Sequence, residues 1–296
     1  MEKNKKIISI ESKILVDEAI NECHKQDIDF LASGNGSGEQ DYIKFMKGGY
    51  ERAVASVIQH FPGDGVKSRQ QIRILETASY LGVVAIALAK AGYSVTATDI
   101  PEYINHAGIL ERYSKNSITA VALNLRTYPL PWEEEAFDVI LAAEVLEHFN
   151  FNPVPLMVEF NRILKRQGAL YIATPNALWL PKRLRFLMGN SIHDPIDAFF
   201  AQLEALNGSI VGMHWREYTK AELRDLLEKS GFLFEEHNFC SLAPVSSRRH
   251  TPRALILQKM YQLFPEFLPG QVVWAKKLKV PKVTIKFTES TALNHI

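Results

Sequence analysis

The sequence predicts an α/β fold: a doubly wound, seven-stranded, mostly parallel sheet, with an N-terminal helical cap over residues 1–70 and insertions after the fifth and sixth strands. Two observations predict it. From Gln71 onward, short apolar runs alternate with stretches of helical periodicity, the pattern of parallel strands joined by crossover helices. That rhythm stalls twice, over 175–218 and 240–270, where aromatic and basic residues crowd segments that read as insertions.

The cap comes first. "SKILVDEAINECHKQ" places Ile14, Leu15, Ala19 and Ile20 near helical spacing, and "DYIKFMKGGYERAVASVIQHF" lines Tyr42, Phe45, Met46, Tyr50, Val54 and Val57 along one face, with Gly48-Gly49 as a point of interruption. Between them "SGNGSG", residues 33–38, lacks the preceding strand and the Lys-Ser/Thr of a phosphate loop, and reads as a flexible hinge. The 71–296 domain follows, with strands expected at 72–76, 93–99, 118–123, 137–143, 168–174, 232–239 and 271–278. Helices are expected at 82–91, 102–116 and 154–164, and again after Thr219, where Thr219 and Glu222 form a capping box and Gly231 marks the stop. The tail "KVPKVTIKF" adds an expected edge strand.

Composition excludes several classes. Lys and Arg number 34 against 33 Asp and Glu, so no global charge draws the chain to nucleic acid. Cys23 and Cys240 lie far apart without metal-ligand spacing, which argues against a disulfide framework and a zinc site and fits a reducing, cytoplasmic setting. No run of about 18 apolar residues is long enough to span a membrane, and the basic N-terminus is broken by charges before it reaches signal-peptide length.

In a doubly wound sheet, ligands gather at the carboxyl ends of the strands where strand order reverses. Four successive ends carry suitable groups for an adenosine-like ligand. Asp99 can accept both ribose hydroxyls, Ile100 offers an apolar surface to a purine, and the Asn124 amide can pair with the purine edge. Glu76 and the turn "TASYLG" end the first strand, and Ala142-Ala143-Glu144 ends the fourth.

In order and spacing, "ILETASYLGVVAIALAKAGYSVTATDI", "LNLRTYPLPWEEEAFDVILAAEVLEHF" and "NRILKRQGALYIATPN" resemble the motifs of class I S-adenosylmethionine-dependent methyltransferases, and "MHWREYTKAELRDLLEKSGF" resembles a block of their small-molecule and glycan-modifying branches. The resemblance covers about Ile72 to Leu278. It implies S-adenosylmethionine as cofactor, with Glu76 approaching its methionine part, Ala78, Ser79 and Gly82 lining the turn, and Asp99 holding the ribose. Asn124 and Leu125 would flank the adenine beside Ile100, Ala142 and Ala143 would back the methionine, and Glu144 and His148 would stand at the reacting centre. The departure lies in the turn, where an acidic-x-Gly-x-Gly-x-Gly pattern is replaced by Glu76-Thr77-Ala78-Ser79-Tyr80-Leu81-Gly82. A nicotinamide-dependent oxidoreductase, which needs Gly-x-Gly-x-x-Gly to seat a pyrophosphate, would have Ala78, Tyr80 and Val83 there instead.

Methyl transfer depends mainly on alignment of donor and acceptor, and a hydroxyl acceptor gains from a general base such as histidine. His148, His193 and His214 are the candidates, without a metal. On the substrate side stand Tyr80, Arg183, Arg185, Arg216 and Tyr218. The basic clusters Lys182, Arg183, Arg185 and Arg248, Arg249, Arg253 suggest an anionic small molecule, a sugar or glycan intermediate. "RALILQKMYQLF" suits core packing, a second subunit of a homodimer or peripheral contact with a membrane surface. The contrasting reading is a catalytically degenerate methyltransferase fold that serves as a binding or regulatory partner.

Overall fold

Residues 9–26, 28, 30, 37–63, 67–204, 212–241, 252–278 and 280–282 are described by a computed structural model. In chain order these residues form helices α1 (Ile10–Cys23) and α2 (Ser37–His60), then β1 (Arg73–Thr77), α3 (Val83–Lys90), β2 (Ser94–Asp99), α4 (Pro101–Ile104), α5 (Ala107–Lys115), β3 (Thr119–Ala122) and β4 (Phe137–Ala143). They continue as α6 (Val154–Ile163), β5 (Leu164–Pro175), α7 (Leu180–Leu187), α8 (Asp197–Glu204), α9 (Lys220–Lys229), β6 (Phe232–Cys240), α10 (Pro252–Leu263) and β7 (Gly270–Lys277). The strands make one seven-stranded sheet in the order β3-β2-β1-β4-β5-β7-β6, parallel except for β7, which runs antiparallel to both neighbours. Strand order reverses between β1 and β4, so their carboxyl ends frame the crevice where a ligand belongs.

The central strands read as continuous apolar runs because both faces of the sheet are covered. Alternate residues feed two cores. Ile74, Leu141, Tyr171 and Trp274 pack with Val16, Ile20, Val54 and Val57 of the cap and Ile86 and Leu88 of α3. Leu75, Ile140, Leu170 and Val273 pack on the other face with Phe160 of α6 and Leu223 and Leu227 of α9. The N-terminal helices therefore share the core of the sheet.

Two expectations are corrected. Gly48-Gly49 does not interrupt α2, whose 24 residues are continuous. The expected helix over 102–116 is two, because the His106 side chain accepts from Gly108 N–H at 3.2 Å and starts α5 afresh after α4 ends. The segment 175–218 holds two helices, α7 and α8. Most of the 33–38 hinge, the 279–287 edge strand and Arg248 and Arg249 lie outside the described residues, as does the Arg253 side chain.

Candidate active site

The turn after β1 keeps a glycine-like backbone without the glycines. Positions 78, 80 and 82 are all left-handed, with φ of 52° at Ala78, 48° at Tyr80 and 79° at Gly82. Only glycine adopts that region without strain, so neighbouring bonds must hold the other two there. Ser79 N–H donates to the Thr98 carbonyl at 2.9 Å, Gly82 N–H donates to the Ser79 carbonyl at 2.8 Å, and Tyr80 N–H donates to Asp99 Oδ2 at 2.7 Å. Helix α5 braces the turn as well. The Tyr113 hydroxyl donates to Ser79 Oγ at 2.9 Å, and the buried Arg112 donates to the Leu81 carbonyl at 2.7 Å and to Gln26 Oε1 at 2.9 Å. A Cβ at Gly82 would lie 2.4 Å from Tyr113 Cε1, so this glycine also makes room for the brace. Sequence reasoning missed Arg112 and Tyr113, and the helical period of α5 offered a signal only for the apolar face that contains Tyr113.

Two carboxyls converge beside the turn. Glu76, at the end of β1, is buried, and its Oε2 has no hydrogen-bond partner. Burial, with a smaller contribution from Asp99, pushes the Glu76 carboxyl up to about 8. Asp99 accepts from Tyr80 N–H and, through Oδ1, from Ile100 N–H at 2.8 Å, yet burial still raises it to about 6. Each Asp99 oxygen retains a second lone pair for a ligand hydroxyl. Tyr80 turns its ring toward the cap, with ring centroids 5.7 Å from Phe30, 5.5 Å from Tyr42 and 5.5 Å from Tyr103, and its hydroxyl donates to Glu39 Oε1 at 3.3 Å.

A second cluster forms past the end of β4. Glu144 has a left-handed backbone (φ 54°), and its N–H donates to the Ala173 carbonyl at 2.7 Å. The next turn, Leu146–His148, buries Glu147, whose Oε2 accepts from Thr174 Oγ1 at 2.9 Å. Burial, then the Glu144 charge, pushes Glu147 well above the usual carboxylate range, and burial raises Glu144 too, so the hydrogen-bonded pair retains a proton between its two carboxyls. His148 Nδ1 lies 2.9 Å from the Met213 carbonyl, which assigns the proton to Nδ1 and leaves a lone pair on Nε2. Burial lowers the basicity of this ring, against the opposing effect of that bond. The His214 ring stands 5.1 Å from that of His148, with Nδ1 2.9 Å from Glu217 Oε1. Burial alone would raise Glu217, but bonds from His214 and Lys182 outweigh it and hold the carboxyl below its ordinary value.

Glu147, His148 and His214 offer ligand atoms all within 4.8 Å of one another, a two-histidine, one-carboxylate set that one divalent cation could draw together. Their spacing in the chain is irregular, and folding alone unites them. Helix α2 runs past both clusters: burial of its hydroxyl end and then Glu144 and Glu147 raise Tyr42, while Tyr50 is raised by burial and, among smaller contributions, by Glu76.

The remaining candidates are dispersed. Ala142 is buried, and Leu125 and Ile100 are half-buried. Asn124 is exposed, and its Oδ1 accepts from Arg126 N–H at 3.0 Å, the bond of a local turn. His193 is exposed and its ring stands outside the cluster, although Asp194 beside it accepts from His214 N–H at 3.1 Å. Arg183 stacks over Phe267 at 4.9 Å and lines a cleft of about 760 Å³ with Asn176, Thr219, Lys220 and Phe239. Arg216 pairs with Glu222 at 2.9 Å, the buried Tyr218 gives its carbonyl to Gln271 Nε2 at 2.6 Å, and Arg185 is exposed.

Residues 43–237 match a family model described as a methyltransferase domain. Over 196 residues the chain is 23% identical to the ubiquinone biosynthesis O-methyltransferase of Rickettsia canadensis (strain McKiel), an alignment covering 57% of this chain and 77% of that protein. Among solved structures, a chain from the Haloferax volcanii Trm112 methyltransferase-activator complex superposes with a TM-score of 0.52 at 13% identity, covering 83% of this chain and 95% of that one. The [4+2]-cyclase SpnF superposes with a TM-score of 0.50 at 14% identity, covering 78% of this chain and 81% of its own. At these identities the structural likeness concerns the fold.

Proposed function

The chain belongs to the methyltransferase domain family as an S-adenosylmethionine-dependent enzyme, and from that premise we propose that it methylates a hydroxyl of a small molecule held against Glu147, His148 and His214. The observation that carries the cofactor half is the unpaired, buried Oε2 of Glu76. A buried carboxylate without a partner is costly, and a ligand ammonium relieves it. Glu76 would take that ammonium, Asp99 the ribose hydroxyls, and Ile100 and Leu125 the adenine faces. The bound cofactor supplies a methyl group already activated on a sulfonium. Because Tyr80 packs toward the cap, the turn's glycine-poor sequence is compatible with a ligand beside Glu76.

On the acceptor side, the Nε2 lone pair of His148 can take the hydroxyl proton as the oxygen attacks, since its Nδ1 is committed to the Met213 carbonyl. His214, fixed by Glu217 and Asp194, is positioned to orient the same hydroxyl. The relation to an O-methyltransferase supports oxygen as the acceptor atom. An anionic sugar loses support from the placement of the basic residues: Lys182 pairs with Glu217, Arg216 pairs with Glu222, and Arg185 faces solvent.

Calorimetric titration with S-adenosylmethionine and its demethylated product tests the cofactor half, and absence of binding by the folded protein would sink it. A second reading is favoured by the 4.8 Å gathering of Glu147, His148 and His214. A divalent cation held there would lower the pKa of the acceptor hydroxyl in place of a base. Activity that chelator abolishes and Mg²⁺ or Mn²⁺ restores selects the cation, and chelator-resistant activity selects His148 as base.

A further inference from the structure

Two helices outside the site present an unusual surface. Helix α7 carries Lys182, Arg183 and Arg185, helix α10 carries Arg253 and Lys259, and neither contains an acidic residue, in a chain whose overall charge is nearly balanced. The same helices leave large apolar side chains in solvent. Phe186 is 69% exposed, Leu187 80%, Ile256 68% and Leu263 73%, with Leu184 and Met188 beside them. The Arg183 guanidinium, stacked over Phe267 in the turn directly after α10, makes α7 and the end of α10 neighbours. Arg185 and Lys259 are exposed and form no ion pair among the described residues.

We propose that α7 and α10 with its following turn form a docking surface for an anionic phospholipid bilayer, from which a membrane-dissolved acceptor reaches the histidine cluster. Exposed apolar side chains interleaved with cations, on two helices that carry no acid, match a headgroup layer, with Glu266 of the following turn half-buried: the apolar groups enter the acyl boundary while the cations meet phosphates. A protein partner of ordinary composition would leave the exposed, unpaired Arg185 and Lys259 to find matching acids, whereas an anionic leaflet supplies a charge for each. No helix among the described residues is long and apolar enough to cross a membrane, so the contact is with the surface.

The surface is also fastened to the reaction centre. Lys182 of α7 pairs with Glu217, which holds His214, and Asp194, between α7 and α8, accepts from the His214 N–H. A bilayer under α7 thus lies against the element that positions His214. The acceptor half of this proposal rests on the methyltransferase reading above, and the docking half does not.

Co-sedimentation with phosphatidylcholine vesicles, with and without phosphatidylglycerol, tests the surface on the full chain. The expected result is binding only when phosphatidylglycerol is present, weakened by salt. The double variant Phe186→Ser/Leu187→Ser should lose about tenfold or more in vesicle affinity, and Lys259→Glu about fivefold, with circular dichroism and S-adenosylmethionine affinity unchanged. Absence of binding to anionic vesicles overturns the proposal, as does binding undiminished in the variants. A dimer seen by light scattering and dissolved by Phe186→Ser/Leu187→Ser overturns it too, by assigning the face to a second copy. Vesicle binding without S-adenosylmethionine binding would uphold the surface while removing the methyltransferase reading, and the reverse result would do the opposite.

Discussion

Replacing Glu76 by Gln separates the ligand-free cost of the proposed cofactor site from its use. The Glu76 carboxyl, buried and with one oxygen unpaired, is raised from 4.5 to about 8. A carboxyl so raised holds its proton more tightly in the folded than in the unfolded chain. Its contribution to stability is therefore fully present below pH 4.5 and is lost as pH rises through 8. For the ligand-free wild type the loss amounts to about 3 kcal/mol by pH 7 and approaches about 5 kcal/mol above pH 8, at roughly 1.4 kcal/mol per unit. Glu76→Gln has no proton to lose. Its unpaired amide costs about 1–3 kcal/mol at every pH, so the variant should be less stable than wild type in acid and more stable in base. Asp99 titrates in both proteins, so apart from its small coupling to Glu76 it drops out of the comparison. Urea unfolding across this pH range reads the difference, and calorimetry reads the ligand. Because the ligand's ammonium needs the ionised carboxylate, wild-type affinity should rise about tenfold between about pH 6 and 7, and the variant should bind at least tenfold more weakly. Parallel stability profiles for the two proteins would refute the assignment of a buried, unpaired carboxyl, and wild-type affinity in Glu76→Gln would refute its role toward the cofactor.

Other substitutions test the turn and the acceptor side. Ala78→Gly relieves a left-handed alanine and should raise stability by about 0.5–1 kcal/mol in urea unfolding, net of glycine's backbone entropy, without loss of S-adenosylmethionine affinity. Gly82→Ala forces a Cβ to 2.4 Å from Tyr113 in a backbone at φ 79°, and should cost about 2–4 kcal/mol by the same measurement. His148→Gln should lower kcat by about a hundredfold or more in a methyl-transfer assay while S-adenosylmethionine affinity, measured by calorimetry, stays at the wild-type value.

The sheet was legible in the sequence because its central strands are buried on both faces. Ile74 and Leu75 enter opposite cores, so β1 appears as an unbroken apolar run, and the intervening helices show their period because each covers one face. The candidate site was legible where a single side chain at a strand end supplies a buried carboxyl, as Glu76 and Asp99 do. It was not legible where chemistry depends on contacts across the chain. Glu147 and His148 are adjacent, but His214 joins them only because the Glu147 carbonyl accepts Trp215 N–H at 2.8 Å and fastens the 213–216 segment beside it. Asn124, at a strand end as well, also closes a local turn through its Oδ1, a bond that its position alone did not announce.

The turn after β1 sharpens the distinction between residue type and backbone. Glycines in such a turn supply conformation at no steric cost, so a missing glycine reads as a missing conformation. Here Ala78 and Tyr80 adopt the left-handed backbone all the same, at about 1–2 kcal/mol each. That strain is sustained by bonds from residues the turn's own sequence does not contain: Thr98 and Asp99 from β2, and Arg112 and Tyr113 from α5. The Tyr80 ring adds contacts with Phe30, Tyr42 and Tyr103 that a glycine could not make, and so ties the turn to the cap. A glycine count therefore measures how cheaply a turn reaches its shape, whereas the Glu76 and Asp99 carboxyls set the charge and hydrogen-bonding capacity that the shape presents.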